Sequence, residues 1–136
     1  MQIRKYIFLG IFSVSSFLGG CTQNDGHIGD LWGKWQLRQI IQDGNTQNVD
    51  TIFYNFQNDI ISLQRLLLNA NPPEVLYGQF VHEGDSLFIY MRDELNDDRM
   101  PLFGLNSRES RLKISELTSK KLILNYKDLF WILRKY

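Results

Sequence analysis

Tight turns dominate the chain from Leu31 onward. Asn58-Asp59, Thr118-Ser119 and Lys127-Asp128 each separate two runs of alternating apolar, β-branched and aromatic residues, and Glu83-Gly84-Asp85 separates another two. Connections this short can only join antiparallel neighbours, because a parallel crossover needs about a dozen residues or more. The alternation predicts strands over residues 31–41, 51–57, 60–68, 75–83, 86–91, 111–117, 120–126 and 129–135. Eight strands hydrogen-bonded in chain order make an up-and-down meander, and closing it on itself removes both exposed edges. The expected fold is therefore all-β, an eight-stranded antiparallel barrel.

Two connections are longer. Residues 42–50 are polar and rich in Asn, Asp and Gly, and read as a loop. Residues 92–110 are long for a loop and read as a flap or a helical turn. Asn71-Pro72-Pro73 is a firm break before the fourth expected strand.

Before this domain the character changes. Arg4 and Lys5 precede an apolar run from Tyr6 to Leu18, then Gly19, Gly20 and Cys21, the sole cysteine of the chain. The run falls short of the ~20 residues a spanning helix needs, and its basic, apolar, small-residue order is that of an export signal. Leu18-Gly19-Gly20-Cys21 resembles the signal of bacterial lipoproteins, which implies lipid on Cys21, attachment to a membrane through that lipid, and removal of residues 1–20. Thr22 stands where an Asp would favour the inner membrane, so the resemblance implies the outer membrane, on its periplasmic or its surface face. Residues 21–30 then form a lipidated tether, and residues 31–136 the barrel domain.

With Cys21 consumed by lipid, disulfides, thiolate metal sites and a cysteine nucleophile are excluded, and the domain must rely on its core. The composition allows this, being 43% hydrophobic and 13% aromatic, with fifteen basic residues balanced by fifteen acidic ones. Without a basic excess, nucleic acid is not an expected partner.

Gly33-Lys34-Trp35 opens the first expected strand and Arg134 lies near the end of the last. A Gly-x-Trp at the start and an Arg at the end look like the signature of lipocalins. The resemblance implies an Arg134 side chain crossing the Trp35 ring at the closed end of a barrel, with Gly33 allowing close approach. Gly33, Trp35 and Arg134 are thus structural residues, and the chain looks most like small lipocalin-like bacterial lipoproteins.

Taking Trp35 and Arg134 as inward, the alternation places Leu31, Leu37, Ile52, Tyr54, Phe56, Leu87, Ile89, Met91, Leu112, Ile114, Leu122, Leu124, Tyr126, Phe130 and Ile132 inside, and Leu129, Trp131 and Leu133 outside. Tyr54, Phe56, Phe80 and Met91 are the candidate ligand-lining residues of a small apolar pocket. The expected role is binding a small apolar or amphipathic ligand. The alternative is a non-catalytic interaction module of the cell envelope, docking a protein partner through the Leu129, Trp131 and Leu133 stripe or the 92–110 flap.

Catalysis and cofactors are not expected. His27 and His82 are scattered, and Asp93, Glu94, Asp97 and Asp98 lack the spacing and internal Gly of a calcium loop, so no metal is assigned. No phosphate loop, nucleophile elbow or zincin pair occurs. Glu116 is the one carboxylate whose alternation could point it inward.

Overall fold

The computed structural model describes residues 29–69, 72–92 and 97–136. The expected signal, Cys21, His27, most of the tether, and Asp93 and Glu94 lie outside these residues. Among the described residues nine strands follow one another: β1 (Gly33–Gln42), β2 (Asn45–Asn48), β3 (Ile52–Gln57), β4 (Ile60–Arg65), β5 (Glu74–Glu83), β6 (Ser86–Met91), β7 (Glu109–Leu117), β8 (Lys121–Tyr126) and β9 (Leu129–Lys135). Every pairing is antiparallel. β9 returns to pair with β1, so β1 and β3 to β9 close an eight-stranded barrel.

β2 corrects the expected 42–50 loop. It folds back on the second half of β1, with Gln42 opposite Asn45 and Gln39 opposite Asn48. The turn is Asp43-Gly44, with φ of 50° and 80°, the left-handed pair that suits a two-residue hairpin. The end of the third expected strand, 60–68, also moves. β4 ends at Arg65, and Leu66, Leu67 and Leu68 are exposed rather than continuing the wall.

The phase of β9 is the opposite of the expected one. Leu129, Trp131 and Leu133 are buried, while Phe130 and Arg134 are exposed and Ile132 is half-buried. The cause is pairing. Leu133 lies opposite Leu37 and Leu122, and Trp131 opposite Ile40 and Leu124, and directly opposite residues share a face. A one-residue error in register sends every side chain of a strand to the wrong face. β1 contains such a step within itself. A bulge between Leu37 and Gln39 lets Trp35, Leu37 and then Ile40 all turn toward the core. A second bulge, between Ile114 and Glu116 in β7, turns Glu116 outward, where it lies 3.6 Å from Lys121. Tyr126, expected inside, is 46% exposed at the end of β8.

These corrections relocate the cation at the closed end. Lys135, not Arg134, stands over Trp35, with Nζ 4.5 Å from the ring centre. Lys135 is opposite Trp35 in the β1–β9 ladder, one residue past Arg134 and therefore on the inner face. Its ammonium also donates to the carbonyls of Asp30, at 3.2 Å, and Trp32. The Trp35 indole donates to the Leu31 carbonyl at 2.8 Å. Burial pushes the Lys135 ammonium below its ordinary value of 10.5, and the Asp30 carboxylate partly offsets this. Gly33 is required here. Its φ is +119°, and a Cβ would lie 2.8 Å from the Lys135 Nζ.

The core runs from Leu31 to Leu133 and fills the barrel. Among the described residues it comes from the closed sheet, from Leu31 just before β1 and from the segment between β6 and β7. The expected interior residues Ile52, Tyr54, Phe56, Leu87, Ile89, Met91, Leu112, Ile114, Leu122 and Leu124 are all buried.

The Trp35–Lys135 contact and the exposure of Arg134 give a direct test. Lys135→Ala leaves two carbonyls and an indole face without their cation, and is expected to cost about 1–2 kcal/mol. Arg134→Ala, on the solvated face, is expected to stay within about 0.5 kcal/mol of the parent. Urea denaturation of the two variants measures the difference.

Candidate functional site

The barrel's end opposite Trp35 is occupied by the chain itself. A 3-10 segment, Asp97–Phe103, enters between β6 and β7. Met100 and Phe103, three residues apart and so on one side of such a helix, are fully buried, as is Leu105 at 1% exposure. This plug is tied from several sides. Tyr54 Oη donates to the Phe103 carbonyl at 2.7 Å, and Trp131 Nε1 to the Gly104 carbonyl at 2.6 Å. Arg65 lies 5.8 Å from the centre of the Phe103 ring and pairs with Glu74 at 2.9 Å, which Arg99 also engages. The Arg108 amide donates to Asp97 at 2.8 Å and closes the base of the segment. Gly104 adopts φ +87°, and a Cβ there would stand 2.9 Å from both Leu37 and the Tyr54 hydroxyl.

The plug changes the meaning of the candidate pocket residues. Tyr54 and Phe56 are fully buried and Met91 nearly so, and Phe80 is half-buried at the closed end. Phe56 and Phe80 pack edge to face with centres 5.0 Å apart. The four fill the barrel and do not surround one space. The Leu129, Trp131 and Leu133 stripe faces inward and is not an outer docking surface. The flap does fold onto Trp131, from within the barrel.

Beside the plug lies a cavity of about 320 Å³. It is lined by Tyr90 of β6, Asn106 and Ser107 after the plug, Glu109 to Leu112 of β7, Tyr126 at the end of β8 and Trp131 of β9. Leu112, Trp131 and the tyrosine rings offer an apolar wall, while Asn106, Ser107, Glu109, Ser110 and Arg111 offer donors and acceptors. Ser110 lies opposite Ile89 in the ladder, hence on the inner face, and its hydroxyl reaches the Ser107 carbonyl at 3.4 Å. The Trp131 indole belongs to both features: its ring walls the cavity and its N–H holds the plug.

Sequence reasoning missed this site because it assigned Trp131 and Tyr126 to the wrong faces. The spacing of Met100 and Phe103 was the available sign that the connection has an apolar side. Among the described residues no cluster of His, Cys, Asp or Glu could hold a metal ion.

The chain matches a known family along most of its length: the family model for a lipocalin-like domain fits residues 16–136. The chain belongs to the lipocalin-like domain family. Two solved structures share its fold. A lipocalin-like protein from Bacteroides uniformis superposes with a TM-score of 0.72 at 32% identity, over 79% of this chain and 100% of its own. An uncharacterized protein from Bacteroides eggerthii superposes with a TM-score of 0.66 at 29% identity, over 78% of this chain and 99% of its own. No curated protein matches the chain. For this lipocalin-like domain, then, the fold is shared with both structures.

Tyr54 provides a pH signature of the plug. Desolvation pushes its hydroxyl far above the ordinary 10.0, so the folded state keeps a proton that the unfolded chain releases near pH 10. Above that pH the unfolded state binds fewer protons and stability falls, by about 1.4 kcal/mol per pH unit for this group. The contribution is fully present below pH 10. Urea midpoints measured from pH 9 to 11 are expected to drop more steeply for the parent than for Tyr54→Phe, which loses about 1 kcal/mol at pH 7 through the unpaired Phe103 carbonyl.

Proposed function

We propose that this protein is a lipid-anchored lipocalin-like lipoprotein of the outer membrane that holds a small amphipathic ligand at the mouth of its barrel. The cavity beside the plug carries the ligand reading. At about 320 Å³ it lies at the small end of the ~300–1,000 Å³ range of ligand sites. Its aromatic wall suits an apolar group, and the hydroxyls and amide of Ser107, Ser110 and Asn106 suit a polar end. A long, wholly apolar ligand is disfavoured, because Met100, Phe103 and Leu105 already occupy the interior. The anchor reading is supported by Leu18-Gly19-Gly20-Cys21, with Thr22 after it and no other cysteine in the chain.

Native mass spectrometry of the purified protein is expected to find a co-purifying small molecule, and Ser110→Trp, which fills the cavity from its inner face, to abolish it without changing the melting temperature by more than a few degrees. A parent free of bound molecules, or a ligand retained by Ser110→Trp, rejects the mouth as the site.

The envelope-interaction reading is favoured by a different surface from the one expected. On the outer face of β5, Val75, Tyr77 and Val81 are exposed, next to Ile60, which lies opposite Gln79. Contiguous exposed apolar groups mark contact sites more often than scattered ones do. If this surface is the functional one, Tyr77→Glu abolishes cross-linking to a partner in intact envelopes while ligand occupancy of the mouth is unchanged.

A further inference from the structure

The described chain begins at the closed end of the barrel, and the outer wall there is both aromatic and basic. Trp32 is 42% exposed and Tyr136 is 72% exposed. Both are side chains with an apolar body and a polar tip, which favour the boundary between oil and water. Trp32, Lys34 and Gln36 point outward along the start of β1, opposite in phase to Trp35. Arg134 lies opposite Gln36, and Lys121 opposite Arg134. The Tyr136 amide donates to the Lys34 carbonyl at 2.9 Å, which sets the last ring of the chain beside Lys34. The Lys34 ammonium is 4.8 Å from the centre of the Phe53 ring and 5.3 Å from that of Tyr136. Lys121 has Glu116 at 3.6 Å. Among the described residues, Lys34 and Arg134 have no acidic partner.

We propose that this wall rests on a bilayer carrying anionic phospholipid headgroups, with Trp32 and Tyr136 at the boundary and Lys34, Lys121 and Arg134 over the phosphates. The proposal rests on the anchor reading for its orientation. The stretch from Cys21 to Gly29 reaches at most about 30 Å when fully extended, and it joins the barrel at this end. Lipid on Cys21 therefore holds the closed end, and not the mouth, toward the membrane. The chemistry of the wall supports the same occupant independently. Each Lys or Arg near an anionic surface strengthens partition by about fivefold. A protein interface would instead want its centre depleted of charge, whereas here Lys34 stands against the Phe53 and Tyr136 rings. One consequence is that the mouth cavity, at the far end, opens away from the bilayer.

The test separates the wall from the anchor. Residues 21–136 carrying Cys21→Ser contain the complete barrel and no lipid site. They are expected to co-sediment with vesicles of phosphatidylglycerol and phosphatidylcholine at low salt, and not with phosphatidylcholine alone or in 0.5 M NaCl. Lys34→Gln with Arg134→Gln is expected to weaken that binding by about 25-fold, with the barrel still folded. In the membrane-extracted protein in vesicles, bromine-labelled lipid is expected to quench a fluorescence component that Trp32→Phe removes. No binding to the anionic vesicles, or binding indifferent to the double substitution, overturns the wall whatever the state of Cys21. A mature mass lacking acyl chains on Cys21 overturns the anchor and, with it, the proposed orientation, while the vesicle result still decides the wall.

Discussion

The structure depends on the ladder between β1 and β9. Without it the meander is an open sheet with two unpaired edges and a half-exposed core. With it, Trp35 meets Lys135, Leu37 meets Leu133 and Ile40 meets Trp131 across the seam, and one interior is enclosed. Lys135 locks the seam at the floor by covering the Trp35 ring and binding the carbonyls that lead into β1. Trp131 locks it at the mouth by donating to Gly104. The bulge in β1 makes both possible, because an unbroken alternation could not present Trp35, Leu37 and Ile40 to the same side.

Closure also decides how much room is left. A barrel of eight strands is just wide enough to be filled by its own side chains or to hold one small ligand. Here large residues fill the floor, and Met100 and Phe103 fill what lies above it. The interior is a core, and the cavity lies at the edge of the plug, where β7, β8 and β9 leave a gap. Because Trp131 touches both, an occupant of the cavity and the position of the plug are physically coupled. The locked floor and the plugged mouth are the two ends of the same geometry.

Much of the fold was legible in the sequence. The turns at Asn58-Asp59, Thr118-Ser119 and Lys127-Asp128 left antiparallel pairing as the sole option, and alternation in β3, β6 and β8 identified Tyr54, Phe56, Leu87, Ile89, Leu122 and Leu124 as interior. β2 was overlooked although Asp43-Gly44 is a hairpin dipeptide, because Asn45–Asn48 has no apolar side to mark it as a strand. The site was not legible. Its lining comes from four separated stretches, and two of its aromatic residues, Tyr126 and Trp131, sit where phase could be judged only from the neighbouring strand.

Local chemistry alone determined the antiparallel order, the number of strands that close the barrel, the Gly33-x-Trp35 start and the basic-then-apolar stretch that ends at Cys21. These are short-range matters of turn length, side-chain period and residue size. Tertiary structure alone decided which cation covers Trp35, which face of β9 looks inward, and that the 3-10 segment fills the cup and leaves a cavity beside it. The physical reason is the same in each case: a strand's side chains alternate with a period of two, so its own sequence offers two equivalent phases. Only the register against its partners, shifted by bulges at residues 38 and 115, chooses between them.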